Sequence, residues 1–262
     1  MRSRWSLSIG LLVVGLLVVT LPAYGYILPA KFFLSQLLKK RSVFGDMKIK
    51  QTTTRFINGQ KTSFDEHIYI RLPGKIRVER WQGGKRTRVA LYTQNTASIW
   101  SAGGQTKSVP RTPQFRFDVF ATSLSGTSFG SLRTLLSKMK IYYRGTSVWS
   151  RDSDYRLQDR VHFSWFGRGP AVIFGAAHNN RKKNQFWIDK RTLSPVRFIV
   201  RKNGKTGPLW DVSFLDYFSS AKGRSFPGRT IVRKNGKLYS RSLTYLVKTN
   251  VSIPNRLFSQ VP

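Results

Sequence analysis

The sequence predicts an α+β domain made mainly of antiparallel β-strands, and three observations carry that prediction. Apolar and polar residues alternate over many short segments, as in Phe64–Leu72, and a period of two is typical of strands with one buried face. Turn residues recur about every ten positions, which indicates a meander of hairpins. Three Asn-Gly pairs, at Asn58, Asn203 and Asn235, suit tight hairpin turns. The pattern predicts about ten or eleven strands.

The N-terminus has the parts of an export signal. Arg2 and Arg4 precede an apolar stretch over residues 7–21, and small residues around Gly25 fit a cleavage site. Because a membrane span needs about 20 apolar residues, we expect cleavage, so that 1–25 is a signal peptide; an uncleaved anchor is the alternative. Residues 26–262 then form a single periplasmic domain.

One helix is predicted directly after this signal, over Ala30–Arg41. It ends in three basic residues that suit the negative end of the helix dipole. Its apolar residues recur at helical spacing on one face: Phe33, Leu34, Leu37 and Leu38. Ser131–Lys140 is a second helix candidate, between two blocks of strands.

Charge and cysteine content limit the partners. The chain has 46 Lys and Arg against 11 Asp and Glu, a formal charge of +35, and no cysteine. Disulfides, thiolate metal sites and a cysteine nucleophile are therefore excluded. A strong positive charge favours anionic partners, here an anionic membrane surface, lipopolysaccharide or acidic polymers. Export argues against nucleic acid.

The sequence lacks the residue patterns of known catalytic sites. Its three histidines, His67, His162 and His178, stand at no metal-ligand spacing, and neither a nucleophile elbow nor a phosphate loop occurs. Asp65 and Glu66 are adjacent on a predicted strand, so they face opposite sides. We expect no enzyme activity, no catalytic residue, no metal and no cofactor.

Many apolar side chains of the predicted strands lie on one face. Val196, Phe198 and Val200 share a face, as do Trp210, Val212 and Phe214. A curved sheet with an apolar concave face, covered by one or two helices, has this pattern. Such a shape either packs solid or keeps a cavity, and dense packing of protein interiors favours the solid core.

Four stretches in order resemble the LolA/LolB superfamily of periplasmic lipoprotein carriers. Together they cover nearly all of the chain after the signal. They are the helix that follows the signal at once, the strand–proline turn–strand segment Ile70–Glu79, Phe186–Asp189 with Leu193–Pro195, and Val212–Tyr217 with Phe226-Pro227 and Asn250–Pro254 before Leu257-Phe258.

The resemblance implies a curved, incomplete β-barrel whose helices cover an apolar cavity for acyl chains. It implies a monomeric carrier without catalysis. Such a carrier takes the acyl chains of lipoproteins or other lipids and exchanges them with inner- and outer-membrane transfer partners. The helix face Phe33, Leu34, Leu37 and Leu38 would belong to the lid. The cavity wall would be Ile68, Ile70, Leu72, Ile76, Val78 and Trp100.

The sequence departs from that family at one position. Lipoprotein carriers have an arginine directly before the turn proline, where it helps to control lid closure, whereas here Leu72 precedes Pro73 and the arginine is Arg71. One step along a strand reverses the face, so Arg71 is a lid-control candidate only if it points into the cavity. A relative that binds or senses another lipid fits as well. The alternative is a basic envelope module that binds anionic polymers or lipopolysaccharide without a cavity ligand.

Overall fold

The computed structural model describes residues 30–72, 74–93, 95–112, 114, 116–123, 129–141, 162–166, 169–175, 180, 183–201, 206–220, 223–259 and 261. The expected signal peptide and the Asn203-Gly204 turn lie outside these residues and stay predictions. Within the described chain, no helix is both long and apolar enough to cross a membrane.

Thirteen described strands form one antiparallel sheet with the order β6-β5-β4-β3-β2-β1-β13-β12-β11-β10-β9-β8-β7. The order has two ends, so the sheet is an open, incomplete barrel, as predicted. The strands are β1 Met47–Ile57, β2 Gln60–Arg71, β3 Lys75–Gln82, β4 Lys85–Tyr92, β5 Thr96–Ser101, β6 Lys107–Pro110, β7 His162–Phe166, β8 Gly169–Phe174, β9 Gln185–Asp189, β10 Pro195–Arg201, β11 Leu209–Ser220, β12 Gly223–Lys234 and β13 Lys237–Thr249.

The residue ranges of two strands, β1 and β6, were not predicted from the sequence, although the Asn58-Gly59 hairpin signal implied a strand before it. β1 carries polar Gln51 and Thr53 at buried positions, so its inner face lacks the apolar alternation that marks a strand. β6 is a four-residue edge strand that is exposed throughout. β1 is nevertheless central, because it joins the two ends of the described chain by pairing with β2 and with β13.

Two of the predicted hairpin turns have the expected geometry. Asn58 and Gly59 have φ of 50° and 77°, and Asn235 and Gly236 have φ of 50° and 81°. Two successive positive φ angles are what a type I′ turn requires. These turns fix the register of β1 against β2 and of β12 against β13.

Within the described residues, three helices lie against the inner face of the sheet: α1 Ala30–Arg41, α2 Asp118–Ser123 and α3 Phe129–Lys138. A 3₁₀ helix, Asn255–Phe258, lies near the C-terminus. The bounds of α1 are those predicted. Its last residue, however, is buried rather than solvated. Arg41 donates a hydrogen bond to the Ser225 carbonyl oxygen and lies 5.1 Å from the Phe44 ring and 5.3 Å from the Phe120 ring. Burial lowers its pKa to about 10.

The strand register decides which side chains face the helices. Ile68, Val78, Ala90 and Ile99 are paired across β2 to β5 and therefore share one face. In the second half of the sheet, Phe198, Val200, Trp210, Val212 and Phe214 belong to the same interior cluster, as predicted.

The prediction for Val196 was wrong. It packs with Ala171, Ile173 and Trp187 in a separate cluster. The register between β9 and β10 shifts between Pro195 and Arg197, and such a bulge re-aims the side chains beside it.

Candidate functional site: a polarised cavity on the concave face

The predicted lid and much of the predicted wall meet in the solid core. Phe33, Leu34 and Leu37 of α1 are buried, and so are Ile68, Ile70 and Ile76 of the sheet. Leu38 and Leu72 are partly buried and pack against the same cluster. The solid-core alternative therefore describes the region under α1, because these side chains fill it.

A cavity of about 440 Å³ lies beside this core, on the inner face of β1 to β6. Of the predicted wall residues, Val78 lines it. The apolar part of the lining consists of Val78, Ala90, Ala97, Ile99, Val109, Pro110 and Phe117. The volume is within the range of about 300–1,000 Å³ typical of small-ligand sites.

Trp100 is not part of the cavity wall, contrary to the prediction. It is paired with Val89, whose partner on β3 is Glu79, and this row faces away from the helices. Ile99, one position earlier, lines the cavity instead. The indole of Trp100 contacts the guanidinium group of Arg86 at 5.9 Å on the outer face.

Charged residues, together with the polar residues Tyr92, Thr112 and Gln114, form the remaining wall of the cavity. Arg55 of β1, Arg80 of β3, Arg88 of β4 and Arg116 line it together with a single carboxylate, Glu66 of β2. Arg80 and Arg88 are direct cross-strand partners, so two like charges stand side by side on this face. The cavity therefore has an apolar part and a strongly basic part.

Glu66 is fully occupied by hydrogen bonds. Its carboxylate accepts bonds from Gln51 Nε2 at 2.7 Å and Thr53 Oγ1 at 2.6 Å. Arg116 binds both of its oxygens at 3.1 Å and also donates to Ser242 Oγ at 3.2 Å. Side chains from β1 and from the segment before α2 thus converge on one buried carboxylate of β2, and Arg116 links this cluster to β13.

These contacts set the charge state of the pair. Burial of Glu66 by itself disfavours the charged form, but the attraction of Arg116 and the hydrogen bonds from Arg116, Thr53 and Gln51 outweigh it and lower the pKa of Glu66 to about 2. The same carboxylate raises the pKa of Arg116 against the effect of burial. Both groups are ionised at neutral pH.

A second ion pair fixes the start of α2. Asp118 accepts bonds from the Arg111 guanidinium group and, at 2.7 Å, from the Gln114 backbone N–H. Arg111 also donates to the carbonyl oxygens of Gly74, at 3.0 Å, and Thr93. The segment that contributes Gln114, Arg116 and Phe117 to the cavity is therefore anchored to the turns of the sheet.

Arg71 points away from the cavity. It pairs with Asp46 at 3.3 Å, donates to Asn255 and to the Ile253 carbonyl oxygen, and lies 4.7 Å from the Phe258 ring. Because these partners lie on the outer face of the sheet, Arg71 holds the C-terminal segment there. It does not have the position that lid control requires.

The basic wall of the cavity was not predicted from the sequence. The opposite faces predicted for Asp65 and Glu66 are confirmed, since Glu66 is 1% exposed and Asp65 binds Thr52 on the outer side. The same alternation along a strand places Arg80 on the face of Val78, so the sequence did contain a signal for an arginine on the inner face. Arg116 lies outside any strand, so no periodicity marks it.

An open antiparallel sheet that curves around helices α1, α2 and α3 and keeps a cavity on its concave face is a half-barrel of the LolA type. No protein-family model matches the chain, and no curated protein sequence matches it significantly. Solved structures do match over most of their length.

Three of these structures illustrate the likeness. A LolA superfamily protein from Nitrosomonas europaea aligns with a TM-score of 0.54 and 9% identity, over 89% of this chain and 98% of that one. A putative outer membrane lipoprotein-sorting protein domain from Vibrio parahaemolyticus gives 0.56 and 8%, over 87% and 95%. A DUF1329 family protein from Desulfovibrio piger gives 0.57 and 10%, over 88% and 96%. The chain has a LolA-like fold.

Proposed function

We propose that this protein is a periplasmic carrier or sensor that binds the acyl chain of a lipid or lipoprotein and catalyses no reaction. The observation that carries the proposal is the cavity on the concave face, whose apolar wall is formed by side chains such as Val78, Ala90 and Ile99. Each methylene group buried there contributes about 0.8 kcal/mol. Release then takes place by handover to a partner.

The sharpest form of this proposal is the sorting of outer-membrane lipoproteins. It is supported by the likeness to the Vibrio parahaemolyticus domain, which is described as lipoprotein-sorting. Sorting requires a protein that accepts its cargo at the inner membrane and delivers it at the outer membrane. The export signal expected in residues 1–25 would bring the chain to the required compartment.

The chemistry of the cavity agrees with binding rather than catalysis. Glu66 is the carboxylate of the lining, and its low pKa makes it a poor proton acceptor at neutral pH. Its oxygens are already engaged by Gln51, Thr53 and Arg116. It serves to position Arg116 and α2.

The test is uptake of a fluorescent acyl probe by the mature protein after delipidation. Ile99→Trp places a larger side chain in the cavity and should reduce probe binding at least tenfold. Ile57→Trp is the matched control, because Ile57 is 45% exposed at a hairpin end and lies outside the cavity lining. Equal binding by both variants, or no binding by the unaltered protein, would refute the proposal.

A basic envelope module is the second candidate, and the net charge of +35 is the observation that favours it. Such a module would bind anionic polymers or lipopolysaccharide at its surface. Electrostatic binding at an exposed surface weakens as salt is added, whereas burial of an acyl chain does not. Binding that disappears in high salt and ignores Ile99→Trp would favour this candidate.

A further inference from the structure

Three arginines of the cavity have no neutralising partner in the part of the chain that the structure describes. Within the described residues, Arg55, Arg80 and Arg88 form no ion pair, while the Glu66 carboxylate is held bidentately by Arg116. Like charges directly opposite each other on one face of a sheet are destabilising, yet Arg80 and Arg88 are direct cross-strand neighbours. The cavity therefore carries an excess of three positive charges.

Two of these groups are held close together by one aromatic ring. Phe64 is buried, and the guanidinium carbons of Arg80 and Arg55 lie 3.8 and 5.6 Å from its ring centre. The Nε atoms of both arginines are buried without a hydrogen-bond partner in the described part of the chain. An unpaired buried donor is unfavourable, and more so on a charged group, so the described residues leave the charge of these two arginines uncompensated.

The electrostatic environment of Arg80 shows the same charge excess. Burial lowers its pKa to about 10, and although Glu66 raises it, Arg55, Arg88 and Arg116 lower it further. Arginines on an open surface would instead be separated and solvated. An anion entering this wall would relieve the repulsion, since guanidinium groups match carboxylates and phosphates in a bidentate geometry.

We infer that the cavity selects an amphiphile with an anionic carboxylate or phosphate headgroup, which Arg55, Arg80 and Arg88 bind while its apolar chain lies against Val78, Ala90 and Ile99. This inference rests on the proposed acyl-binding function and adds the headgroup class. The apolar and basic walls belong to one cavity, so a single ligand contacts both.

The experiment is isothermal titration of the delipidated mature protein with probes of equal chain length, each below its micellar concentration. Dodecyl phosphate and dodecanoate carry the anion, dodecanol lacks it, and inorganic phosphate lacks the chain. The anionic amphiphiles should bind at least tenfold more tightly than dodecanol and than inorganic phosphate. Which of the two anionic probes binds more tightly identifies the preferred headgroup.

Substitutions assign the effect to the basic wall. Arg80→Gln and Arg88→Gln should each weaken binding of dodecyl phosphate about tenfold or more, as expected for a lost charge-assisted hydrogen bond, and leave dodecanol binding unchanged. Arg80→Lys keeps the charge and should restore part of the affinity. Arg241→Gln, at an exposed position on β13, is the control and should bind like the unaltered protein.

The outcomes separate the two proposals. Equal affinity for dodecanol and the anionic amphiphiles would overturn the headgroup inference and leave the acyl-binding function intact. Equal affinity for inorganic phosphate and dodecyl phosphate would overturn both, since the chain would then contribute nothing. Failure of all probes to bind would likewise overturn both.

Discussion

Replacing Glu66 with glutamine tests how the cavity wall is held together. The substitution keeps the shape of the side chain but removes the charge that binds Arg116 at 3.1 Å. Lowering the pKa of Glu66 from its ordinary value of 4.5 to about 2 corresponds to about 3 kcal/mol of stability at neutral pH. Removal of one partner of a buried ion pair costs a similar amount, about 3–5 kcal/mol.

The pH dependence provides the sharper assay. Because the pKa of Glu66 is lower in the folded than in the unfolded chain, its contribution is fully present above about pH 4.5 and is lost as the pH falls towards 2. We expect the difference in the free energy of unfolding between the unaltered protein and Glu66→Gln to be about 3 kcal/mol at pH 7 and to shrink through this window. Urea denaturation at a series of pH values measures it.

Asp65→Asn is the matched control. Asp65 is the adjacent carboxylate on the same strand, and it faces outward with a hydrogen bond to Thr52. Substitutions at exposed positions usually change stability by no more than about 0.5 kcal/mol, so the control should change stability little at any pH. A difference for Glu66→Gln that is equally small, or that does not change between pH 5 and 2, would refute the account of the buried cluster.

Three other substitutions test the rest of the fold. Arg71→Leu should raise the amide hydrogen-exchange rate of the C-terminal 3₁₀ helix about tenfold or more; unchanged exchange would show that Arg71 does not anchor it. Leu37→Ala should lower the free energy of unfolding by about 2–5 kcal/mol because Leu37 is fully buried. Phe32→Ala, at a side chain that is 42% exposed, should lower it by less than about 0.5 kcal/mol. Equal effects of the two substitutions would contradict the assigned helix face. Gly175→Ala should destabilise the protein more than Gly59→Ala by at least about 1 kcal/mol. Both glycines have positive φ, but an added Cβ at Gly175 would lie 2.4 Å from a backbone carbonyl oxygen, while one at Gly59 would meet open space. Thermal denaturation of the two variants measures the difference, and equal destabilisation would contradict the close approach at Gly175.

The local elements of the fold could be predicted from the sequence. Helix α1 has the predicted bounds, because its apolar spacing requires one buried face. The Asn-Gly turn at Asn58 has the expected positive φ angles, because few other residues accept that conformation. Ile68 and Ile70 face the interior together, because alternation along a strand is fixed by the backbone.

The location of the cavity could not be predicted in this way. Alternation identifies which side chains face inward, but it does not say which of them the helices cover. Ile70 and Val78 have the same inward parity, yet Ile70 is sealed under the core while Val78 lines open space. That difference depends on where α1 and the segment before α2 pack against the sheet.

What the sequence by itself determined is therefore local: strand parity, hairpin turns, the amphipathic helix and the large positive charge. Only the tertiary structure brought Glu66 to Arg116, 50 positions away, joined β1 to β13, and turned Arg71 towards the C-terminal segment. It also gathered Arg55, Arg80 and Arg88 on one wall. The physical reason is that parity and turn geometry depend on neighbours in the chain, whereas ion pairs and cavities depend on which strands and loops meet after folding.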